Sequence, residues 1–204
     1  MENLTLKQFS EAVSSKDPTP GGGGVSAAVG ALAASLGEMV TNLTFGKKKY
    51  LEYTFELTDI RKELEILRIN LLGCINKDAQ AFEPLAKVYA LPKDSEGYEE
   101  KMEECLRKAA EPPFLILKYA ARIIELDERL GQIGSKLAVS DAATSVMLAH
   151  GVLYAAYVNV LVNTRLMKDR DQANYLNEES VKILDEYSVM ALNIYDDICK
   201  RLTD

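Results

Sequence analysis

The sequence is poor in histidine and cysteine, with one of the first and three of the second in 204 residues. Cys74, Cys105 and Cys199 lie far apart and His150 stands alone, so the usual zinc-ligand spacings cannot form. No nearby Cys or Ser makes His150 part of a dyad or triad, and in the middle of an apolar stretch it reads as a satisfied core residue. Scattered, odd-numbered cysteines fit a reduced, cytoplasmic setting. Positive charge is also scarce: 24 Lys and Arg stand against 31 Asp and Glu, a net charge of −7. That balance excludes a generic nucleic-acid or anionic-membrane binder. Met1 to Thr5 has neither the basic nor the apolar region of a signal peptide, so none is expected. Strand-like alternation and hairpin turns are missing as well.

What is present is helical periodicity. Thr5 to Gln8 reads as a capping box for a short helix with Phe9, Ala12 and Val13 inward. A small-residue helix is expected from about Gly24 to Leu43, ended by Gly46. From Leu51 to Val88 the apolar residues Leu57, Ile60, Leu64, Leu67, Leu71 and Cys74 recur at steps of 3 and 4, and the stripe continues through Asp78, Ala81, Leu85 and Val88. Such spacing predicts a long helix packed in a bundle. Further helices are expected over 96–110 and, after a break or kink at Pro112-Pro113, over 114–130. Ser140 is the expected N-cap, with Asp141 in the first turn, of a helix running to Met167, and the last helix should start at Asn177. The fold class is all-α: one bundle-like domain over residues 1–204 with six or seven helices.

Two stretches, 18–37 and 142–164, carry no charge when His150 is neutral, and both are long enough to span hydrocarbon. The first is mostly Ala, Gly and Ser, and the second carries His150, Asn159 and Asn163. Neither has an aromatic belt, so buried central helices are the expectation, with no membrane partner.

Gly21, Gly22, Gly23 and Gly24, entered through Thr19-Pro20, stand out. Four consecutive glycines are entropically costly and suit a place where something must approach the backbone closely. Feeding a helix N-terminus, they would aim free N–H groups and the positive dipole end at an anion or an electron-rich ligand. No Gly-Lys-Ser/Thr closes the run and no strand precedes it, so it is neither a P-loop nor a dinucleotide fingerprint. A flexible linker is the plainer alternative.

Asp78 is the sharpest anomaly, a carboxylate on a leucine stripe, where burial is expensive unless the group is paired, hydrogen-bonded or protonated. The alternative is a stripe that drifts and hands the contact to Phe82. Asp141 suits a helix dipole as readily as a site. Asn159 and Asn163 share a helix face and either tie helices together or hold a ligand. Lys47, Lys48, Lys49 and Lys93 are the candidate cations, or ordinary solvated surface charge.

Together, Thr19-Pro20-Gly21-Gly22-Gly23-Gly24, Met39-Val40, Leu43-Thr44, Gly46-Lys47-Lys48, Asp78 with Ala81-Phe82, Leu91-Pro92-Lys93, Gly134 with Ser140-Asp141-Ala142, and Asn159-Val160 with Asn163 form a recognisable pattern. It resembles the cyclodeaminase domain of formiminotransferase-cyclodeaminase and the stand-alone methenyltetrahydrofolate cyclohydrolases, over nearly the whole chain. Ser135, Gly24 and Glu111-Pro112-Pro113 depart from the usual pattern. The resemblance implies an all-helical homodimer acting on one-carbon tetrahydrofolate derivatives without metal or other cofactor. A formiminotetrahydrofolate cyclodeaminase is the first expectation and a methenyltetrahydrofolate cyclohydrolase the second, with a separate formiminotransferase as a conceivable partner. Asp78, Asp141 and Lys48 are the expected catalytic residues. Thr19, Gly21 to Gly24, Lys47, Lys93 and Asn163 are the expected substrate-binding ones. A helical dimer that binds a folate or another anion without turnover is the alternative of another class.

Overall fold

The structure, a computed structural model, describes residues 1 and 3–203. It contains six α-helices: α1 (Leu6–Val13), α2 (Gly22–Thr44), α3 (Thr54–Tyr89), α4 (Tyr98–Ile133), α5 (Val139–Thr164) and α6 (Arg170–Thr203). Short 3-10 turns cover Lys48–Tyr53 and Lys136–Ala138, and no strand occurs among the described residues. The fold is therefore all-α, as the periodicity requires.

Helix α2 is wedged between α3 and α5, while α4 closes the other side of α3 and α5, and α6 lies over α4 and α5. The main core is built from the inward stripes of these helices, including Leu64, Leu71, Ile116, Leu117, Ile124 and Leu153. α2 and α5 are apolar on most sides and long enough to cross a membrane by length and composition. Each buries only part of its surface here, and Leu32, Met39, Leu43, Tyr154, Val158 and Val162 remain exposed.

The register of α2 against α3 places the site. A Cβ added to Gly37 would lie 2.8 Å from Leu64 Cδ1, and one on Gly30 would lie 3.1 Å from Leu71 Cδ2. One heptad further along, a Cβ on Gly23 would lie 2.1 Å from Asp78 Oδ1. The antiparallel pair thus seats the same stripe of α3 into glycine gaps every seven residues of α2, with Leu, Leu and finally Asp as the inserted side chain. Leu85 and Val88 beyond it are buried again. The stripe does not drift away at Asp78.

Several boundaries differ from the sequence expectation. Pro112 and Pro113 do not break the chain into two helices: α4 continues through them, with both prolines buried. Packing on neighbouring helices compensates for the two missing backbone hydrogen bonds. α5 begins at Val139 with Ala138 as N-cap, so Ser140 lies inside the first turn and makes no capping bond. α6 starts at Arg170 rather than Asn177. The Thr5–Gln8 capping box is present, yet α1 buries no residue, and Val13 is exposed.

Asp127 is a second carboxyl on a core face. It is fully buried, and neither of its oxygens has a hydrogen-bond partner. Burial pushes its pKa well above the usual carboxylate range, and adjacent Ser145 lowers it to a smaller extent. The Ser145 hydroxyl itself donates to the Ala33 carbonyl at 2.7 Å. Asp127 is therefore held neutral in the fold, since an unpaired buried charge is prohibitive. The folded chain holds a proton here that the unfolded chain releases above its ordinary carboxylate pKa, so stability falls as pH rises between that value and the elevated one. Asp127→Asn should remove this slope: within that window the variant gains about 1.4 kcal/mol per pH unit relative to the parent, read from urea unfolding at a series of pH values.

Candidate active site

At one end of the bundle a cavity of about 270 Å³ opens between α2, α3, α4 and α5. Pro18, Thr19 and Gly21 to Gly23 form one wall, and Asp78, Phe82, Leu85 and Tyr89 of α3 another. Ala109 of α4 and Asn159, Val162 and Asn163 of α5 complete it. The lining is apolar and aromatic with a few polar groups, the composition expected of a small-molecule site.

The glycine run is more ordered than a bare loop. Gly21 is the N-cap, and Gly22, Gly23 and Gly24 form the first turn of α2. Their small size serves close packing. A Cβ on Gly22 would come within 3.1 Å of Asn159 Nδ2, and one on Gly24 within 3.3 Å of Pro20 Cβ. At Gly23 no side chain fits at all, because the Asp78 carboxyl occupies the space. No side chain caps this N-terminus, so its dipole and its free N–H groups act on whatever carboxyl or ligand lies beside them.

Asp78 is that carboxyl. Burial raises its pKa above the ordinary value, while the Gly24 N–H pulls it down less strongly. A carboxyl shifted upward and facing a cavity is a candidate for proton transfer.

The two asparagines stand across from it. Asn159 Nδ2 donates to the Ala155 carbonyl at 2.7 Å. Asn163 Nδ2 donates both to the Asn159 carbonyl at 2.9 Å and to the Ala109 carbonyl at 3.1 Å. Asn163 thus ties α5 to α4, while Asn159 bonds within its own helix, and both line the cavity.

The remaining sequence candidates lie elsewhere in the chain. Asp141 sits in the first turn of α5, eighteen residues before Asn159 and so about 27 Å away along the helix axis. Lys47 Nζ donates to Ser135 Oγ at 2.9 Å, and the Ser135 N–H donates to Thr44 Oγ1 at 2.8 Å, which fastens the C-terminal end of α2 to the α4–α5 connection. Lys48 begins the following 3-10 turn and is exposed. Lys93 is exposed in the segment between α3 and α4. The cavity of one chain therefore gathers Thr19, Gly21 to Gly23, Asp78 and Asn163, with Gly24 directly behind, and it does not gather Lys47, Lys48, Lys93 or Asp141. His150 is also remote, packed edge-on against Tyr154 with centroids 5.2 Å apart and its Nε2 buried without a partner. Its burial lowers its pKa. Phe82, Tyr89 and Val162 are lining residues that the apolar pattern alone does not separate from core. Ala109 could be located in sequence, since a proline at position 113 leaves the carbonyl four residues earlier without its helical donor.

The profile of the formiminotransferase-cyclodeaminase family matches residues 5–182. Methenyltetrahydrofolate cyclohydrolase of Methylorubrum extorquens is 34% identical over 200 residues, which is 96% of either chain. Formimidoyltransferase-cyclodeaminase of Rattus norvegicus is 27% identical over 171 residues, 82% of this chain but only 32% of that longer protein. The crystal structure of formiminotetrahydrofolate cyclodeaminase from Thermotoga maritima superposes with a TM-score of 0.83 at 33% identity, covering 98% of this chain and 96% of that one. With its fold and most of its length matched in this way, the chain belongs to the formiminotransferase-cyclodeaminase family of folate one-carbon enzymes.

Proposed function

We propose that residues 1–204 form one catalytic domain that closes the one-carbon bridge of tetrahydrofolate, as a formiminotetrahydrofolate cyclodeaminase working in the cytoplasm. N10 attacks the formimino carbon carried on N5 and gives up its proton; the carbon becomes tetrahedral, the former imino nitrogen takes up that proton and one more from solvent, and its C–N bond breaks. The products are 5,10-methenyltetrahydrofolate and ammonia. The observation that carries this reading is the single carboxyl, Asp78, facing the cavity with a raised pKa. Both nitrogens that exchange protons are bonded to one carbon, so one carboxyl within reach of that carbon can accept the proton of N10 and return it to the departing amine. Thr19 and Gly21 to Gly24 would hold the ligand beside the α2 N-terminus, where developing negative charge is favoured. This proton chemistry calls for no metal or other cofactor.

A second reading is favoured by the 34% match along the whole chain to a methenyltetrahydrofolate cyclohydrolase. There, water adds to the methenyl carbon, the N5–carbon bond breaks and N5 takes a proton, giving 10-formyltetrahydrofolate. The same carboxyl serves, since the proton lost by water and the one gained by N5 again meet at one carbon.

The other candidates belong to this proposal through a second subunit. Val25, Val29, Leu32, Leu36, Met39 and Leu43 recur along α2 at steps of 4 and 3, and Leu32, Met39 and Leu43 are exposed. Tyr154, Val158 and Val162 of neighbouring α5 are exposed as well, and exposed apolar side chains on two adjoining helices suit a like partner. A two-fold axis through the middle of α2 would pair these helices antiparallel. The partner subunit's Lys47, Lys48 and Asp141 would then lie beside the glycine turn, with Lys93 at the rim to attract glutamate carboxylates. A formiminotransferase supplying the formimino group remains the natural partner of the cyclodeaminase reading.

Absorbance of the methenyl bridge tests the reaction. It should rise when 5-formiminotetrahydrofolate is added, or fall when 5,10-methenyltetrahydrofolate is added if the hydrolytic reading is correct; Asp78→Asn should lower either rate by about 10²- to 10⁴-fold. Binding of both with no absorbance change would instead identify a non-catalytic folate binder.

Subunit mixing tests the shared site. Asp78→Asn and Lys48→Met chains, each nearly inactive alone, should regain about a quarter of parental activity when unfolded together and refolded in equal amounts, because half of the dimers then carry one intact site. No recovery would place both residues in the same chain's site or remove Lys48 from it.

A further inference from the structure

The hydrogen bonds around Asn163 assign the orientation of its carboxamide. Its NH₂ group has two carbonyl oxygens on one side, those of Asn159 at 2.9 Å and Ala109 at 3.1 Å. Both amide protons are thereby used, and Oδ1 is turned to the other side with no hydrogen-bond partner among the described residues. Asn163 lines the cavity. Asn159 is held less completely: its Nδ2 donates to one carbonyl, that of Ala155 at 2.7 Å, and both its Nδ2 and its Oδ1 lie beside the glycine turn.

The Ala109 carbonyl is available for a specific reason. In an uninterrupted helix it would accept the N–H of residue 113, and residue 113 is proline. Pro113 has no N–H to give, while the helix nevertheless continues through it. The buried carbonyl must find another donor, and Asn163 supplies it. The helix defect in α4 is thus converted into a fixed side-chain orientation on α5.

We propose that Pro113 is a positioning residue that acts through the Ala109 carbonyl to hold Asn163 as an obligate hydrogen-bond acceptor, and that Asn163 and Asn159 together read the donor edge of the ligand's ring. An edge that presents N–H and exocyclic NH₂ groups side by side is the complement of two carboxamide oxygens; the 2-amino-4-oxo ring of a reduced pterin carries one. This assignment rests on the folate reading and adds which ring edge is recognised and what enforces it. A ring with a carbonyl in place of the amino group would set oxygen against oxygen. Rejection by an unpaired or opposed buried polar group is far stronger than rejection by shape alone.

Calorimetric binding of tetrahydrofolate and of its 2-deamino-2-oxo analogue, measured alongside turnover, tests the assignment. The parent chain should bind tetrahydrofolate at least about tenfold more tightly than the analogue. Asn163→Leu should bring that ratio to near one, mainly by losing tetrahydrofolate affinity. Pro113→Ala restores an N–H that competes for the Ala109 carbonyl; it should lower the ratio several-fold while raising the melting temperature. A Pro113→Ala chain that melts higher but keeps the full ratio would show the proline to be structural only and would overturn its positioning role. If that variant does not fold, the ratio in Asn163→Leu decides whether Asn163 reads the edge. Equal parental affinities with normal turnover would overturn the recognition of the amino group and leave the folate reaction standing. Failure of the parent to bind either compound or to turn over either folate substrate would overturn both.

Discussion

The contact between Asp78 and the bare Cα of Gly23 is the constraint on which the rest of the site depends. Helices α2 and α3 pack antiparallel with a heptad repeat, and glycines 37, 30 and 23 accept Leu64, Leu71 and Asp78 in turn. The packing that places two leucines in the core places a carboxyl, by the same rule, at the point where the core opens into a cavity. Its position therefore comes from the backbone geometry of two long helices rather than from a flexible loop, which is the rigidity a proton-transferring group needs.

That placement joins fold to chemistry. Asp78 meets the uncapped first turn of α2, whose dipole favours the ionised form, while burial favours the neutral one. At Asp78 the two influences oppose each other, whereas at Asp127 burial dominates and Ser145 offsets it only to a smaller extent. Two aspartates on core faces of one bundle thus have separate fates, decided by what surrounds them. Opposite Asp78, Asn163 has a carboxamide whose orientation is set by two backbone carbonyls.

Much of this arrangement was legible in the sequence. The leucine spacing of α3 identified Asp78 as the odd member of a packed stripe, and the glycine run marked a close approach; the structure joins these two anomalies into one contact. The glycines were read as a loop because propensity opposes a helix there. Tertiary packing against Asp78 and Asn159 overrides that propensity. The double proline was read as a break or kink for the same reason, since local rules do not register the helices that hold α4 straight. Asp141 and Lys48 could not be placed by spacing, because periodicity reports the face of a helix and not which end of the bundle it occupies. The part played by Pro113 was hidden more deeply: its missing N–H is visible in sequence, but the partner that takes the freed carbonyl lies on another helix.

A double-mutant cycle on folding stability tests the central contact most directly. Gly23→Ala should cost about 1–3 kcal/mol while Asp78 is present, because the new methyl and the carboxyl contend for one space. In an Asp78→Ala background the same change should be neutral, or stabilising by up to about 1 kcal/mol from improved helix propensity. An equal cost in both backgrounds would mean that the glycine turn and the carboxyl do not meet, and the account of the site built on them would fail.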